Sequence, residues 1–329
     1  MAAYTIFKLK NLSPLHIGTG KENYDFSASQ WQSDAISAAL ASVRAMQGKC
    51  DDIRGFLNSF VVSSAFPYIN DCLFLPKPQG KISVKVPGKE EHEYRKKLKK
   101  IKFIESSLWQ ELISGKTLEV CSNQLQGEYL LPSSETDFAK PMQSQVNQRV
   151  SVPRDNNDAQ PFFFDWTYFR NNAGLCFMAK AEDDIIEELK SLLETLGETG
   201  IGTDKNVGGG KFEVEKSNIR VDIPENPNAT LLLSTYIPTE EELSKLQLPD
   251  SKYELIRRDG YLAGSSETDF RHLRKKAVYM FNVGSVFKTT ADLQGKIVDL
   301  KPDWNDERMH PIYRSGKPFV VPVNLIENE

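Results

Sequence analysis

The run "AGLCFMAKAEDDIIEELKSLLETLGETGIGTDKNVGGGKFEVEKSNIRV", residues 173 to 221, restricts the fold more than any other stretch of this 329-residue chain. Its first nine residues read as a buried strand. The next sixteen place Ile185, Leu189, Leu192 and Leu196 on one apolar stripe, with acids in the first turn and Gly197 as the expected helix stop. From Lys211 strand alternation resumes. The order is strand, helix, glycine-rich loop, strand, so the loop joins a helix back to a sheet. With glycines at 197, 200, 202, 208, 209 and 210, the backbone can turn or be approached where a side chain would block it.

Two phosphate-binding motifs are excluded on spacing. A Walker loop needs GxxxxGK followed by Ser or Thr, whereas Gly210-Lys211 is followed by Phe212 and Lys205 stands five before Gly210. A dinucleotide GxGxxG starting at Gly200 needs glycine at 205 and a helix after it, and here the order is reversed. What remains is a loop expected to expose amides beside Lys205, Lys211, Thr203 and Asn206. That suits a sugar-phosphate backbone, and a purely structural turn accounts for it equally well.

The rest of the chain fills in an α+β pattern. Residues 3 to 12 alternate as a half-buried strand, and "SDAISAALASVRAM" predicts a helix with Ser33 as N-cap and Asp34 in its first turn. After "PENPN" near residue 225 the pattern restarts with the strand "ATLLLSTYIP". A capping box follows at Thr239 and Glu242, and the Asp259-Gly260 pair predicts a hairpin. Few helices and hairpin-linked strands favour two ferredoxin-like domains, 1–225 and 226–329, over a doubly wound sheet. Between 77 and 165 the first domain carries an irregular insertion. Residues 77 to 116 hold 11 Lys or Arg against 5 Glu, and Leu98, Ile101, Leu108 and Leu112 suggest one helix through them. Such a run reads first as a solvated helix face and second as nucleic-acid contact. Further on, Arg149 and Arg154 precede Phe162, Phe163, Phe164, Trp166, Tyr168 and Phe169, a cluster equally consistent with a core strand and with a base-stacking platform.

Composition narrows the class. With 40% hydrophobic and 26% charged residues, and no apolar run near the roughly 20 residues of a membrane span, a soluble cytoplasmic protein is expected. The four cysteines are scattered, without a CxxC pair or histidines at ligand spacing, so they read as free thiols and neither metal nor cofactor is expected. A net charge of −4 argues mildly against a surface coated in nucleic acid and says little about local patches.

"GIGTDKNVGGGKFEV" resembles the glycine-rich loop of the RAMP superfamily, the RNA-recognition-like subunits of CRISPR interference complexes. "LSPLHIGTG", "SDAISAAL", "KKLKKIKFI", "RRDGYLAGS", "VGSVF" and "HPIYRSGKPFVVPV" extend the likeness over nearly the whole chain, toward the type III-A (Csm) subunit that holds the 5′ end of the guide RNA. The resemblance implies two RAMP-type ferredoxin-like folds with an inserted thumb hairpin. It implies a non-catalytic role, with the repeat-derived 5′ handle of crRNA and the guide-target duplex as ligands. Its protein partners would be the large polymerase-like subunit and an adjacent RAMP backbone subunit, with no membrane. Gly202, Lys205, Asn206, Gly208, Gly209, Gly210 and Lys211 would pack against the handle, with His16 and Ser33 at the same groove. Arg149, Val152 and Arg154 match the thumb that wedges into the duplex, and Arg257 and Arg258 would add phosphate contacts. The chain departs from relatives at Asp204 and Val207, where a basic loop is usual. Two rival readings stand beside this one: a metal-independent endoribonuclease working through His16, which lacks a second histidine at fixed spacing, and an interaction module with no RNA role.

Overall fold

The computed structural model describes residues 2–18, 24–28, 30–132, 138–152, 159–262, 268–304 and 306–325. Its centre is a nine-stranded sheet. Strand Glu213–Val221 lies beside Ala2–Lys10, which lies beside Ala173–Lys180, which pairs in turn with Phe66–Ile69. All three pairings are antiparallel, with Thr5 opposite Ala179 and Lys10 opposite Glu213. Helices Ser33–Met46 and Asp183–Thr199 complete a strand-helix-strand, strand-helix-strand unit with the ferredoxin strand order. The sheet continues through Cys72–Pro76, Phe103–Glu105, Tyr129–Leu130 and Leu125–Gln126, so the insertion extends the same sheet at its far end.

The uniformly apolar strand at 173 to 180 follows from burial on both faces. Leu175, Phe177 and Ala179 alternate onto the helical side with Phe7, Leu9, Ile36, Leu40, Leu189 and Leu193. Cys176 and Met178 point the other way, into a core shared with Leu231, Leu233, Val321 and Val323 of the C-terminal part. The thiol of Cys176 is pushed up to about 12 by that burial. The C-terminal part thus covers the sheet face that the helices leave bare.

In that part Ala229–Leu232 is flanked by Val286–Phe287 and Val320–Val323, and two further two-stranded sheets pair Leu255–Arg258 with Val278–Phe281 and Ile297–Asp299 with Tyr313–Ser315. The expected capping box forms: Thr239 accepts from the Glu242 amide at 3.2 Å and Glu242 accepts from the Thr239 amide at 2.9 Å. Helix Glu240–Lys245 is the α-helix of this part among the described residues, without the second helix of a full ferredoxin repeat.

Three local expectations are corrected. Gly197 does not stop its helix, which runs to Thr199 and ends at Gly200 with φ +85°. Gly197 instead lets Phe212 approach, since a Cβ there would lie 2.3 Å from the Phe212 carbonyl oxygen. The lysine-rich stretch is two helices, Glu91–Lys100 and Ser106–Ile113, separated by strand Phe103–Glu105 because Phe103 and Ile104 are drawn into the core. Asp259-Gly260 is not a two-residue hairpin, since Leu255–Arg258 takes its partner from residues 278 to 281. Among the described residues no helix is long and apolar enough to cross a membrane.

Candidate nucleic-acid interface

The segment from Ser13 to Ile17 is a backbone spine with the thumb hairpin on one side and the glycine loop on the other. Toward the thumb, Leu15 and Thr167 exchange amide-carbonyl bonds at 2.9 and 2.8 Å. Toward the loop, the amide of Thr203 donates to the His16 carbonyl at 3.1 Å, and that of Gly210 to the Pro14 carbonyl at 2.9 Å. The Ser13 hydroxyl donates to the Gly208 carbonyl at 2.8 Å and accepts from the Lys211 amide at 2.7 Å.

This packing explains most of the glycines. A Cβ on Gly202 would lie 2.3 Å from the His16 carbonyl oxygen, one on Gly210 2.0 Å from the Ile201 carbonyl oxygen, and one on Gly209 2.7 Å from the Trp166 ring. Gly209 and Gly210 are buried, and Gly208, with φ +86°, is the one of the four whose Cβ direction opens into space. The expectation of an amide cradle is corrected: the amides of Ile201, Thr203, Val207, Gly208, Gly209, Gly210 and Lys211 are all bonded within the protein. The exposed part of the loop is its outer rim, formed by Lys205, Asn206, Val207 and Lys211.

His16 is 2% exposed. Its Nδ1 lies 2.8 Å from the Asp165 carbonyl oxygen and its ring packs 4.5 Å from Phe164. It braces the spine against the thumb and is corrected from a groove-lining to a buried residue. The Asp165 carboxylate accepts from the Ser27 amide at 2.9 Å and from the Ser144 hydroxyl, tying the hairpin base to the segment that follows the spine.

The thumb is a ten-rung antiparallel hairpin, Met142–Ser151 against Gln160–Phe169. Its aromatics divide: Phe164 and Trp166 are buried at the base, while Phe163 is 57% exposed. Val146, Val150 and Val152 are exposed along the hairpin, and Arg154 lies outside the described residues. Arg149 leans back from the hairpin, its guanidinium 4.4 Å from the Phe164 ring centroid and 5.1 Å from that of Trp166, and forms an ion pair with Asp204 of the glycine loop. The acid in the loop is thus matched by a cation from the hairpin.

Ser33 and Arg258 lie elsewhere, at the seam between the two parts of the chain. Ser33 is the first helical residue rather than the cap, is 4% exposed, and its hydroxyl meets Thr235 at 2.9 Å and accepts from the Thr235 amide at 2.8 Å. Arg258 donates to Asp34 at 3.0 Å, and Arg314 pairs with the same carboxylate oxygen. Burial alone would raise the Asp34 carboxyl, and the two guanidiniums hold it below the usual range. Lys275, beside them, is pushed down to about 8, chiefly by burial and then by Arg314. Of the expected arginine pair, Arg257 is exposed, paired with Asp259 at 3.2 Å. Asp34 and Arg314 escape sequence reasoning because an acid in a first helical turn already has a reading as a dipole partner. Among the described residues no group of acids, histidines and cysteines could hold a metal ion.

Residues 225–323 match the family described as the CRISPR Csm4 C-terminal domain. The "CRISPR system Cms protein Csm4" of Streptococcus thermophilus is 27% identical over 299 residues, 87% of this chain and 89% of that protein. The protein of the same name from Mycobacterium tuberculosis H37Rv is 29% identical over 178 residues, 54% of this chain and 56% of the relative, so that alignment spans little more than half its length. Among solved structures, a chain of the Csm1-Csm4 cassette in complex with cA4 matches at TM-score 0.63 and 18% identity, covering 99% of this chain and all of that one. A chain of the Csm3-Csm4 subcomplex in the type III-A CRISPR-Cas interference complex matches at TM-score 0.60 and 19% identity, covering 98% and 100%. A ferredoxin-ordered sheet with a hairpin and glycine loop on one spine is matched along its length by these chains, so the fold is that of the Csm4 chains in those structures. The chain is thus similar to Csm4 proteins along most of its length, and its C-terminal residues 225–323 match the Csm4 C-terminal domain.

Proposed function

We propose that this chain is a non-catalytic crRNA-binding subunit of a cytoplasmic type III-A CRISPR interference complex, anchoring the 5′ repeat-derived handle of the guide. It also docks a large polymerase-like subunit and an adjacent RAMP backbone subunit. The observation that carries the reading is the common spine: Ser13 to Ile17 holds thumb and glycine loop as one body, so the Lys205, Asn206 and Lys211 rim keeps a set position beside the exposed valines of the hairpin. Lysines and an amide side chain on a rigid rim position a phosphate backbone without reading bases. An apolar hairpin beside them suits a wedge at the handle-spacer boundary, where unstacking a base step costs a few kcal/mol offset by added contacts. The Csm1-Csm4 and Csm3-Csm4 assemblies of similar chains support two protein neighbours.

Lys205→Ala with Lys211→Ala should weaken handle RNA binding alike for different sequences and reduce the slope of log K against log salt by about one to two. An unchanged slope, measured by fluorescence anisotropy between 50 and 300 mM salt, refutes the rim contact. The endoribonuclease reading rests on His16, whose burial and bond to the Asp165 carbonyl favour a bracing role. Repeat RNA should stay intact on incubation, and cleavage abolished by His16→Ala would reverse this.

A further inference from the structure

The insertion presents a second cationic surface remote from the rim. Helix Glu91–Lys100 packs through Tyr94, whose hydroxyl donates to the Val84 carbonyl at 3.1 Å, and through half-buried Leu98 one turn on. At 100° per residue, Arg95, Lys96, Lys97, Lys99 and Lys100 then sweep an arc of about 200° on the opposite side. All five are exposed.

Among the described residues these cations are left without partners. Neighbouring Lys81 and Lys102 pair with Glu91 at 3.5 Å and Glu128 at 2.6 Å, and Lys89 donates to Ser122 at 3.4 Å. Among the described residues none of the five helix cations makes an ion pair or side-chain hydrogen bond. Glu91 and Glu93 stand four residues before Arg95 and Lys97, the favoured spacing for helix pairs, yet Glu91 turns to Lys81 and Glu93 to the Glu90 amide at 3.2 Å. Arg95 with Lys99 and Lys96 with Lys100 are like-charge pairs at the same spacing, which repel. The helix dipole favours the cations of the last turn and leaves Arg95 and Lys96 unaccounted for.

We infer that this helix is a second RNA-backbone contact surface, separate from the glycine-loop rim. A phosphate backbone fits better than a protein partner. Four of the five cations are lysines, which are depleted in protein interfaces, and the outer face has no aromatic or large apolar anchor to bury. The helix packs on strand Leu125–Gln126, the sheet edge opposite Glu213–Val221. Seven strand spacings of about 4.8 Å make roughly 34 Å between those edges, so the two surfaces contact different stretches of RNA.

The test uses the full chain and a fluorescein-labelled 20-nucleotide oligouridylate, which lacks any handle. Lys96→Gln, Lys97→Gln and Lys100→Gln together keep helix propensity and remove three charges. Relative to wild type, the slope of log K against log salt should fall by about two, at about 0.7 per phosphate contact. The same drop is expected in the Lys205→Ala, Lys211→Ala background, which separates this surface from the rim and its failure from that of the handle reading. An unchanged slope overturns the inference, as does lysine-dependent binding of polyglutamate without binding of RNA. Should the triple variant misfold by circular dichroism, photocrosslinking of wild type to 4-thiouridine RNA decides: crosslinks between residues 91 and 102 support the surface, and their absence refutes it.

Discussion

Two aspartate-arginine contacts, one joining the thumb to the glycine loop and one joining the two parts of the chain, use the same chemistry in opposite surroundings. In the Arg149–Asp204 pair the side chains keep 32% and 28% of their exposure. At the seam Asp34 has none, Arg314 keeps 9% and Arg258 25%. Water and salt can compete for the first pair, so its net contribution is small and its cation remains available to a phosphate. The second is shut away, where attraction between charges is strong and an unmatched charge is severely destabilising. The contrast separates a contact that can be exchanged from one that sets the register of two packed units.

The largest expected effect lies at the seam. Asp34→Asn leaves the guanidiniums of Arg314 and Arg258 without their shared carboxylate and should destabilise the chain by about 3–5 kcal/mol in urea unfolding. Because the folded-state Asp34 carboxyl is lowered, the stability it confers is complete above the ordinary carboxylate range and is lost as pH falls through its folded value. A wild-type-like midpoint would mean that the seam is held by apolar packing alone.

Next comes the glycine loop. Gly202→Ala forces a Cβ against the His16 carbonyl oxygen at φ +86° and should cost about 2–3 kcal/mol, with faster hydrogen exchange at Thr203 and Leu15. Faster exchange confined to the loop would show that spine and thumb are held independently.

Lys275 sharpens the seam from the other side. Its folded value of about 8 lies below that of an exposed lysine, so between about pH 8 and 10 the unfolded chain binds more protons and stability should rise with pH by on the order of 1–2 kcal/mol. Lys275→Met should flatten that rise in pH-resolved thermal melts. The smallest effect belongs to Arg149→Gln, under about 1 kcal/mol in stability and shrinking with added salt, while exchange of the thumb amides from Met142 to Ser151 accelerates. A loss as large as that of Asp34→Asn would erase the distinction between the two contacts.

Local pattern was legible wherever neighbours in sequence decide the outcome. Strand Ala173–Lys180, the helix after it, the strand leaving the glycine loop and the Thr239 capping box all follow from periodicity and caps. The helix end at Gly197 was misread because a glycine that stops a helix and one that admits a neighbouring backbone look alike in sequence, and Phe212 distinguishes them. The lysine-rich stretch was misread as one helix because Ile101 and the following Phe103 and Ile104 continue an apolar rhythm that the sheet edge captures as a strand.

By itself the sequence determined the kinds of element, the glycine loop between helix and strand, the basic run in the insertion and the family likeness, because these depend on residue types at short spacing. Only the tertiary structure decided which groups meet. Asp34 and Arg314 are 280 positions apart, and Arg149 and Asp204 are 55 apart. The loop amides turned inward because Ser13 to Ile17 arrived to accept and donate their bonds, and His16 and Ser33 were buried by the same convergence. A side chain's type sets which bonds it can make. Which partner arrives, and whether water is left to compete, is settled when distant segments pack and remove solvent from between them.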